Sequence, residues 1–235
     1  MHRRRRTIAL IVIILIAFIW GGYQSRTTPP EPPALATQES SVEETDKAID
    51  ALASLEVKGR APKTGYSRSQ FGEGWAEIDG CDVRNLILQR DLVEVLTLPD
   101  GCKVESGKFL DPYSAKSILF KRGVTTSDDV QIDHIVSLSD AWQKGAQLLS
   151  QAEREKLAND SLELLAVDGP TNMKKSDGDA ATWLPPNKPY RCQFIARQIA
   201  VKRKYHLWVT PAERDAMKRV LATCPDQRLP LEESQ

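Results

Sequence analysis

The 235-residue sequence predicts an α+β fold, a mostly helical domain with a few short strands, carried behind an N-terminal hydrophobic segment. Three observations predict it. Apolar residues recur at helical spacing at both ends of the domain, β-leaning stretches are few and short, and one uninterrupted apolar run follows four arginines near the start. With 41% hydrophobic and 27% charged residues the chain is ordinary globular material, neither disordered nor a multi-span membrane protein.

Arg3, Arg4, Arg5 and Arg6 precede an apolar run over residues 8–20, the basic-then-hydrophobic order of a signal peptide or signal anchor, expected over residues 1–23. Counted generously over residues 7–23, the run makes about 25 Å of helix at ~1.5 Å per residue, marginal against a bilayer core of ~30 Å. No clear small-x-small cleavage site follows Trp20, so the reading leans toward an uncleaved membrane anchor with the domain outside. Residues 24–45 hold Pro29, Pro30, Pro32 and Pro33 and then an acidic, Ser/Thr-containing stretch, too polar to bury; they read as a linker. The domain is expected over 46–226, with a short tail over 227–235.

Within the domain, residues 46–57 place Ala48, Ile49, Leu52, Ala53 and Leu55 on one helical face, with Asp46 as the cap. Residues 82–98 lean helical through Leu86, Leu88 and Leu92. Residues 108–122 read as a hairpin around Asp111-Pro112-Tyr113-Ser114. Residues 129–138 form an apolar, β-branched strand broken by two polar exceptions, Asp133 and His134. Ser150 caps a short helix to Leu157, residues 162–167 are a second apolar strand, Gly169-Pro170 turns the chain, and Thr171 caps another helix. After Pro185 and Pro186, a long helix is expected over 190–205, and Thr210-Pro211 opens a last one to about Thr223.

The 32 basic and 32 acidic side chains cancel, so any site for a polyanion must be local. Four cysteines, Cys81, Cys102, Cys192 and Cys224, are widely spaced and lack the close CxxC pairs of a structural zinc site. Two disulfides in an oxidising compartment are the better reading. Of three connectivities the local one, Cys81–Cys102 with Cys192–Cys224, is the simplest.

There is no GxSxG elbow, P-loop, GxGxxG before a helix or HExxH, which removes several hydrolase and nucleotide-cofactor classes. Outside the basic leader the only histidines are His134 and His206. His206 sits at a helix end, where interaction with the helix dipole is its natural role. An adjacent carboxylate and imidazole, Asp133-His134, with a later amide oxygen at Asn172, can supply two hard ligands for one divalent cation and a general base. Taken alone, an Asp-His dipeptide is more often a solvated carboxylate and a core or surface histidine. In a regular strand the two side chains would also point to opposite faces.

A wider pattern bears on that choice. Residues Val130-Gln131-Ile132-Asp133-His134-Ile135-Val136-Ser137-Leu138, Leu157-Ala158-Asn159-Asp160, Leu164-Leu165-Ala166-Val167-Asp168-Gly169-Pro170-Thr171-Asn172, Lys175 and Ala181-Thr182-Trp183-Leu184-Pro185-Pro186 resemble the HNH, or ββα-metal, endonuclease family. The resembling form is the secreted bacterial one related to GmrSD-type HNH domains. Tyr66-Ser67-Arg68, Phe71-Gly72, Trp75, Cys81-Asp82-Val83-Arg84-Asn85, Asp111-Pro112-Tyr113 and Tyr190-Arg191-Cys192 extend the similarity. The resemblance implies two strands and a helix around one divalent metal ion, Mg2+ first and Mn2+ or Zn2+ as alternatives. Asp133 and Asn172 would be ligands and His134 the general base, with ligand and base side by side at a bent strand end. Where such proteins commonly carry a middle Asn this chain has Glu163, with Asn159 nearby to orient the histidine, and Lys175-Ser176-Asp177 replaces a Lys-Gly-Asp.

For substrate, residues 191–219 carry eight basic side chains against Glu213 and Asp215, a stretch that can track phosphates or simply form a solvated helix face. Arg84, Lys175 and Arg197 are the individual candidates for holding phosphate charge. The sequence thus predicts an extracytoplasmic, metal-dependent endonuclease that cuts DNA, and RNA as a further substrate, with little sequence specificity. The alternative is a catalytically inactive HNH-fold module that binds nucleic acid or a surface partner.

Overall fold

The computed structural model describes residues 46–230. The signal or anchor segment, the linker and residues 231–235 lie outside the described residues. No helix among the described residues is long and apolar enough to cross a membrane.

The described chain opens with α1 (Ala48–Ser54), shorter than the helix expected there and capped by Lys47 rather than Asp46. Asp46 instead pairs with Arg203 at 2.5 Å. A 3₁₀ turn at Arg68–Phe71 leads to a small hairpin, β1 (Glu77–Ile78) and β2 (Cys81–Asp82), and then to α2 (Val83–Asp91). The Asp82 carboxylate caps α2 by accepting from the Asn85 N–H at 2.8 Å. The helix expected over 82–98 stops there: β3 (Val93–Thr97) follows, because Val93 and Val95 are β-branched and find a partner strand in β4 (Val104–Leu110). The third strand, β5 (Ser117–Lys121), closes the expected hairpin over the Asp111-Pro112-Tyr113-Ser114 turn, with Leu110 opposite Ser117.

Next come β6 (Val130–His134), α3 (Leu138–Gln143), α4 (Gln151–Ala158), β7 (Leu164–Asp168) and α5 (Gly169–Lys175). Ser150 caps α4 in a reciprocal capping box with Glu153. At α5 the capping residue is Asp168, not Thr171: its carboxylate accepts from the Thr171 N–H at 3.0 Å, and Pro170 sits in the first turn. Gly169 is required where it stands, since a Cβ would run into the Asp128 carbonyl oxygen. The long α6 (Arg191–Lys204) and α7 (Pro211–Leu221), the latter capped by Thr210 and Glu213, complete the domain. Both local disulfides form, Cys81–Cys102 and Cys192–Cys224, with Cα separations of 5.5 and 6.5 Å. Residues 227–230, expected within the tail, are held to the domain: the Ala48 N–H donates to the Gln227 carbonyl at 2.8 Å, Leu229 N–H to the Asp46 carbonyl at 3.0 Å, and Leu229 is buried.

β6 and β7 pair antiparallel in one register, Asp133 opposite Leu165 and His134 opposite Leu164, and are buried on both faces. Val130, Ile132, Leu164 and Ala166 face a core shared with α2 and the three-stranded sheet; Leu165 and Val167 face a larger core built with α1, α6 and α7. Full burial of such side chains stabilises by about 1.5–3 kcal/mol each. A one-residue slip would exchange the two faces and drive Asp133 out of position, so these contacts fix the register that the site depends on.

Candidate active site

β6, β7 and α5 form a strand–strand–helix unit, and the end of β6 opens into a cleft of about 380 Å³. Asp133, His134 and Asn172 all line it. Asp133 lies on the strand face toward α5 and His134 on the other. The two nevertheless border one space because β6 ends at His134 and the chain bends through Ile135 and Val136. The divergence that a regular pleat would impose is thereby avoided.

Asp133 is buried and held from two sides. The Tyr113 hydroxyl donates to its Oδ2 at 2.6 Å and the Lys175 ammonium to its Oδ1 at 2.9 Å. Lys175, fully buried at the end of α5, also donates to the His134 carbonyl at 2.7 Å and to Ser137 Oγ at 3.0 Å, tying α5 to the strand end. Burial raises the Asp133 carboxyl above its ordinary range, against the opposing pull of Lys175 and Tyr113. Burial, and then the charge of Asp133, keep the Tyr113 phenol well above its usual value, so Tyr113 stays a donor.

His134 is held by its far nitrogen. Nε2 lies 3.0 Å from the Ala158 carbonyl at the end of α4. A carbonyl oxygen only accepts, so Nε2 carries the hydrogen and Nδ1 keeps its lone pair. Burial pushes the imidazole down to about 3, outweighing the Ala158 hydrogen bond, so the ring is neutral at physiological pH. The Trp75 ring stacks on it at 5.8 Å between centroids and 7° between planes. Asn159 secures that stack indirectly: its Oδ1 accepts from the Ala76 N–H at 2.8 Å, and its Nδ2 donates to the Glu155 carbonyl. The orienting role expected of Asn159 thus passes to the neighbouring Ala158 carbonyl, while the Asn159 side chain pins the loop that carries Trp75.

Glu163, fully buried, accepts from the Val136 N–H through Oε2 at 3.2 Å, and its backbone carbonyl accepts from Ile135 N–H at 2.9 Å. It therefore holds the bend just past His134. Burial raises its carboxyl well above the ordinary range, and Oε1 has no partner among the described residues. Asn172, half-buried on α5, donates through Nδ2 to Gln131 Oε1 at 3.0 Å, which fixes the amide and leaves its Oδ1 without a donor among the described residues.

Two expected phosphate ligands are placed elsewhere. Arg84 donates to the backbone carbonyls of Ser127 and Val130, and Arg197 to those of Ser161, Leu162 and Leu164. Both spend their guanidinium groups bracing β6 and β7, where buried carbonyls need donors. Lys175 reaches the site but is occupied by Asp133. The cations that do face the cleft are Lys63 and Arg68, on the segment before β1. Arg68 is exposed and makes no ion pair among the described residues. Tyr113, Trp75 and Arg68 had a signal in the sequence, each falling inside a resembling stretch, but nothing local gave them a role. His206 lies just past α6 with φ 52°, exposed and away from the cleft.

Oxygen groups of the kind a magnesium-like ion takes line the cleft. Among the described residues no three His, Cys, Asp or Glu side chains gather into a metal cage. The donors at hand are one carboxylate, Asp133, and the uncommitted amide oxygen of Asn172, a hard-oxygen pair of the kind that leaves the remaining positions to water and phosphate.

Comparison with known proteins identifies the family. Residues 101–220 match the family described as GmrSD restriction endonucleases, C-terminal domain. A protein described as an uncharacterized secreted protein from Arthroderma benhamiae is 35% identical over 200 residues, covering 84% of this chain and 89% of its own. No solved structure matches.

Proposed function

The chain belongs to the family of the GmrSD restriction endonuclease C-terminal domain, and from that premise we propose that it is an extracytoplasmic, HNH-type metal-dependent endonuclease acting on DNA, with RNA as the alternative substrate. One observation carries the reading: Asp133, His134 and Asn172 line a single cleft at the end of β6, with His134 Nε2 bound to a carbonyl and Nδ1 left as a base. The two disulfides and the similarity to a secreted protein support a place outside the cytoplasm.

Asp133 and Asn172 would hold a divalent ion, Mg2+ before Mn2+ or Zn2+. Such an ion, when bound, supplies neutralisation of the charge that develops on the leaving oxygen. Lys175 and Tyr113 keep the Asp133 carboxylate in one orientation. His134 Nδ1 accepts the proton of the attacking water. Burial keeps the ring neutral, so Nδ1 is free to take that proton. Lys63 and Arg68 face the same cleft and counter phosphate charge on the solvent side. Trp75 and Ala158 prevent the imidazole from turning away.

Incubating the purified chain with plasmid DNA and with RNA, in magnesium, manganese, zinc or chelator, tests the reading. Cleavage should vanish in chelator and fall by roughly 10²–10⁴ in a folded His134→Ala variant, with a comparable loss in Asn172→Ala. Absence of cleavage in every metal at high protein concentration would overturn the nuclease reading and favour a binding module without catalysis. Glu163 at the position where related sequences commonly carry Asn is the observation that favours that alternative.

A further inference from the structure

A second cavity, of about 540 Å³, lies between the segment after α5 and the outer face of α7. Its charged lining is Lys188, Arg191 and Arg219, three cations with no carboxylate among them. None of the three makes an ion pair among the described residues; Arg191 uses only Nε internally, donating to the Pro185 carbonyl at 2.7 Å. Its floor is apolar, formed by Ala180 and Ala216, and Trp183 forms one wall.

The loop that walls this cavity also walls the catalytic cleft. Ser176 and Asp177 line the cleft, and Ala180 to Trp183 line the second cavity. Between them the chain is tightly wound: Gly178 N–H donates to the Lys175 carbonyl at 2.9 Å, and Thr182 and Trp183 both donate to the Asp179 carbonyl. Gly178 has no room for a side chain, since a Cβ would lie 2.9 Å from the Lys175 carbonyl oxygen and 3.1 Å from Trp183 Cβ. A single compact loop therefore separates the two depressions.

We propose that the second cavity is an accessory nucleic-acid subsite. Lys188, Arg191 and Arg219 take backbone phosphates of a strand that crosses the Ser176 to Trp183 loop from the cleft, and the apolar floor beside Trp183 accepts a base. The proposal rests on the reading that nucleic acid is the substrate. It also divides the basic stretch over 191–219 into two sets, with Arg197 and Lys202 turned inward to carbonyls and carboxylates, and Arg191 and Arg219 turned to the ligand.

The test is fluorescence anisotropy of labelled single-stranded oligonucleotides of about 4 and about 16 nucleotides, in chelator, alongside metal-supported cleavage of both. The purified full chain is compared with Lys188→Glu/Arg219→Glu and with the milder Lys188→Gln/Arg219→Gln. Both pairs change exposed side chains, and their unfolding midpoints are read as a control. The longer oligonucleotide should lose about tenfold or more in affinity in the Glu pair and less in the Gln pair. The slope of log affinity against log salt should shrink by roughly 1–2, while kcat on the short substrate is unchanged. Unchanged affinity for the longer oligonucleotide in both folded variants, with cleavage intact in the wild type, overturns the subsite and leaves the nuclease reading standing. Length-dependent binding that the variants lose, in a wild type that cuts nothing, supports the subsite and removes the nuclease reading.

Discussion

Glu163 shows how one side chain can be both a support and a liability. Its Oε2 holds the bend after His134, but the carboxyl is wholly buried with Oε1 unpartnered among the described residues, and burial raises it well above its ordinary 4.5. The folded state thus prefers the protonated acid. Stability from this group is present in full below pH 4.5 and declines as pH rises toward the folded value, because the unfolded chain releases the proton more readily. Glu163→Gln cannot titrate, so its advantage over the wild type should grow with pH. Thermal unfolding followed from about pH 4.5 to about pH 8 should show the variant's midpoint rising relative to the wild type across that window; a constant difference would mean that Glu163 is not held protonated.

At the scale of elements, the unit that matters is β6, β7 and α5, and its weak joint is the end of α5. Ser176 terminates that helix at φ 51° and ψ −127°, a conformation suited to glycine, and the resemblance implies a glycine between the lysine and the aspartate there. A serine at this point holds the strain that a glycine would not. Ser176→Gly should stabilise the protein by about 1–2 kcal/mol, measured by urea denaturation, and leave metal-supported cleavage at least equal to the wild type. The Ser176 carbonyl also accepts from Ser137 Oγ at 2.9 Å, so the helix end and the strand end move as one body. Much of this element scale is legible in the sequence: the strand over 129–138, the strand over 162–167, both late helices and the hairpin fall within a few residues of their observed places. The helix expected over 82–98 is the exception, ending at Asp91. Its Leu spacing suits a helix, and only pairing with β4 reveals Val93 and Val95 as strand.

For the whole molecule, a buried ionic cluster joins parts far apart in sequence. Lys144 contacts Asp140, Asp179 and Glu213 at 2.7, 2.8 and 2.6 Å; Lys202 pairs with Glu213 at 3.1 Å; and Arg60 reaches Asp140 and Asp179 at 3.0 and 2.7 Å. The cluster fastens α3, α6 and α7 to the Arg60 segment that continues into Lys63 and Arg68, and to the loop that separates the two cavities. Burial opposes ionisation of Asp179, but Lys144 and Arg60 outweigh it and bring the group to about 2. Its contribution is therefore present above pH 3.8 and is lost only as pH falls toward 2. Removing Lys144 leaves three buried carboxylates to share two cations, Arg60 and Lys202. Lys144→Met should cost about 3–5 kcal/mol in urea unfolding, far more than an exposed lysine of this chain such as Lys58.

The sequence by itself determined the α+β class and the strand–strand–helix order, written in periodicity and turn chemistry, and it marked Asp133, His134 and Asn172 as candidates; of three possible disulfide pairings it left the local one as the simplest, and the structure forms that one. Tertiary structure alone decided which charges face the cleft and which brace the frame. Arg84 and Arg197 look as available in the sequence as Arg68, yet the first two meet buried carbonyls and the third meets an open cleft. Lys175 and Tyr113 reach Asp133 from 42 and 20 residues away. A side chain's role follows from the partners and the dielectric around it, and those are set by where distant segments pack.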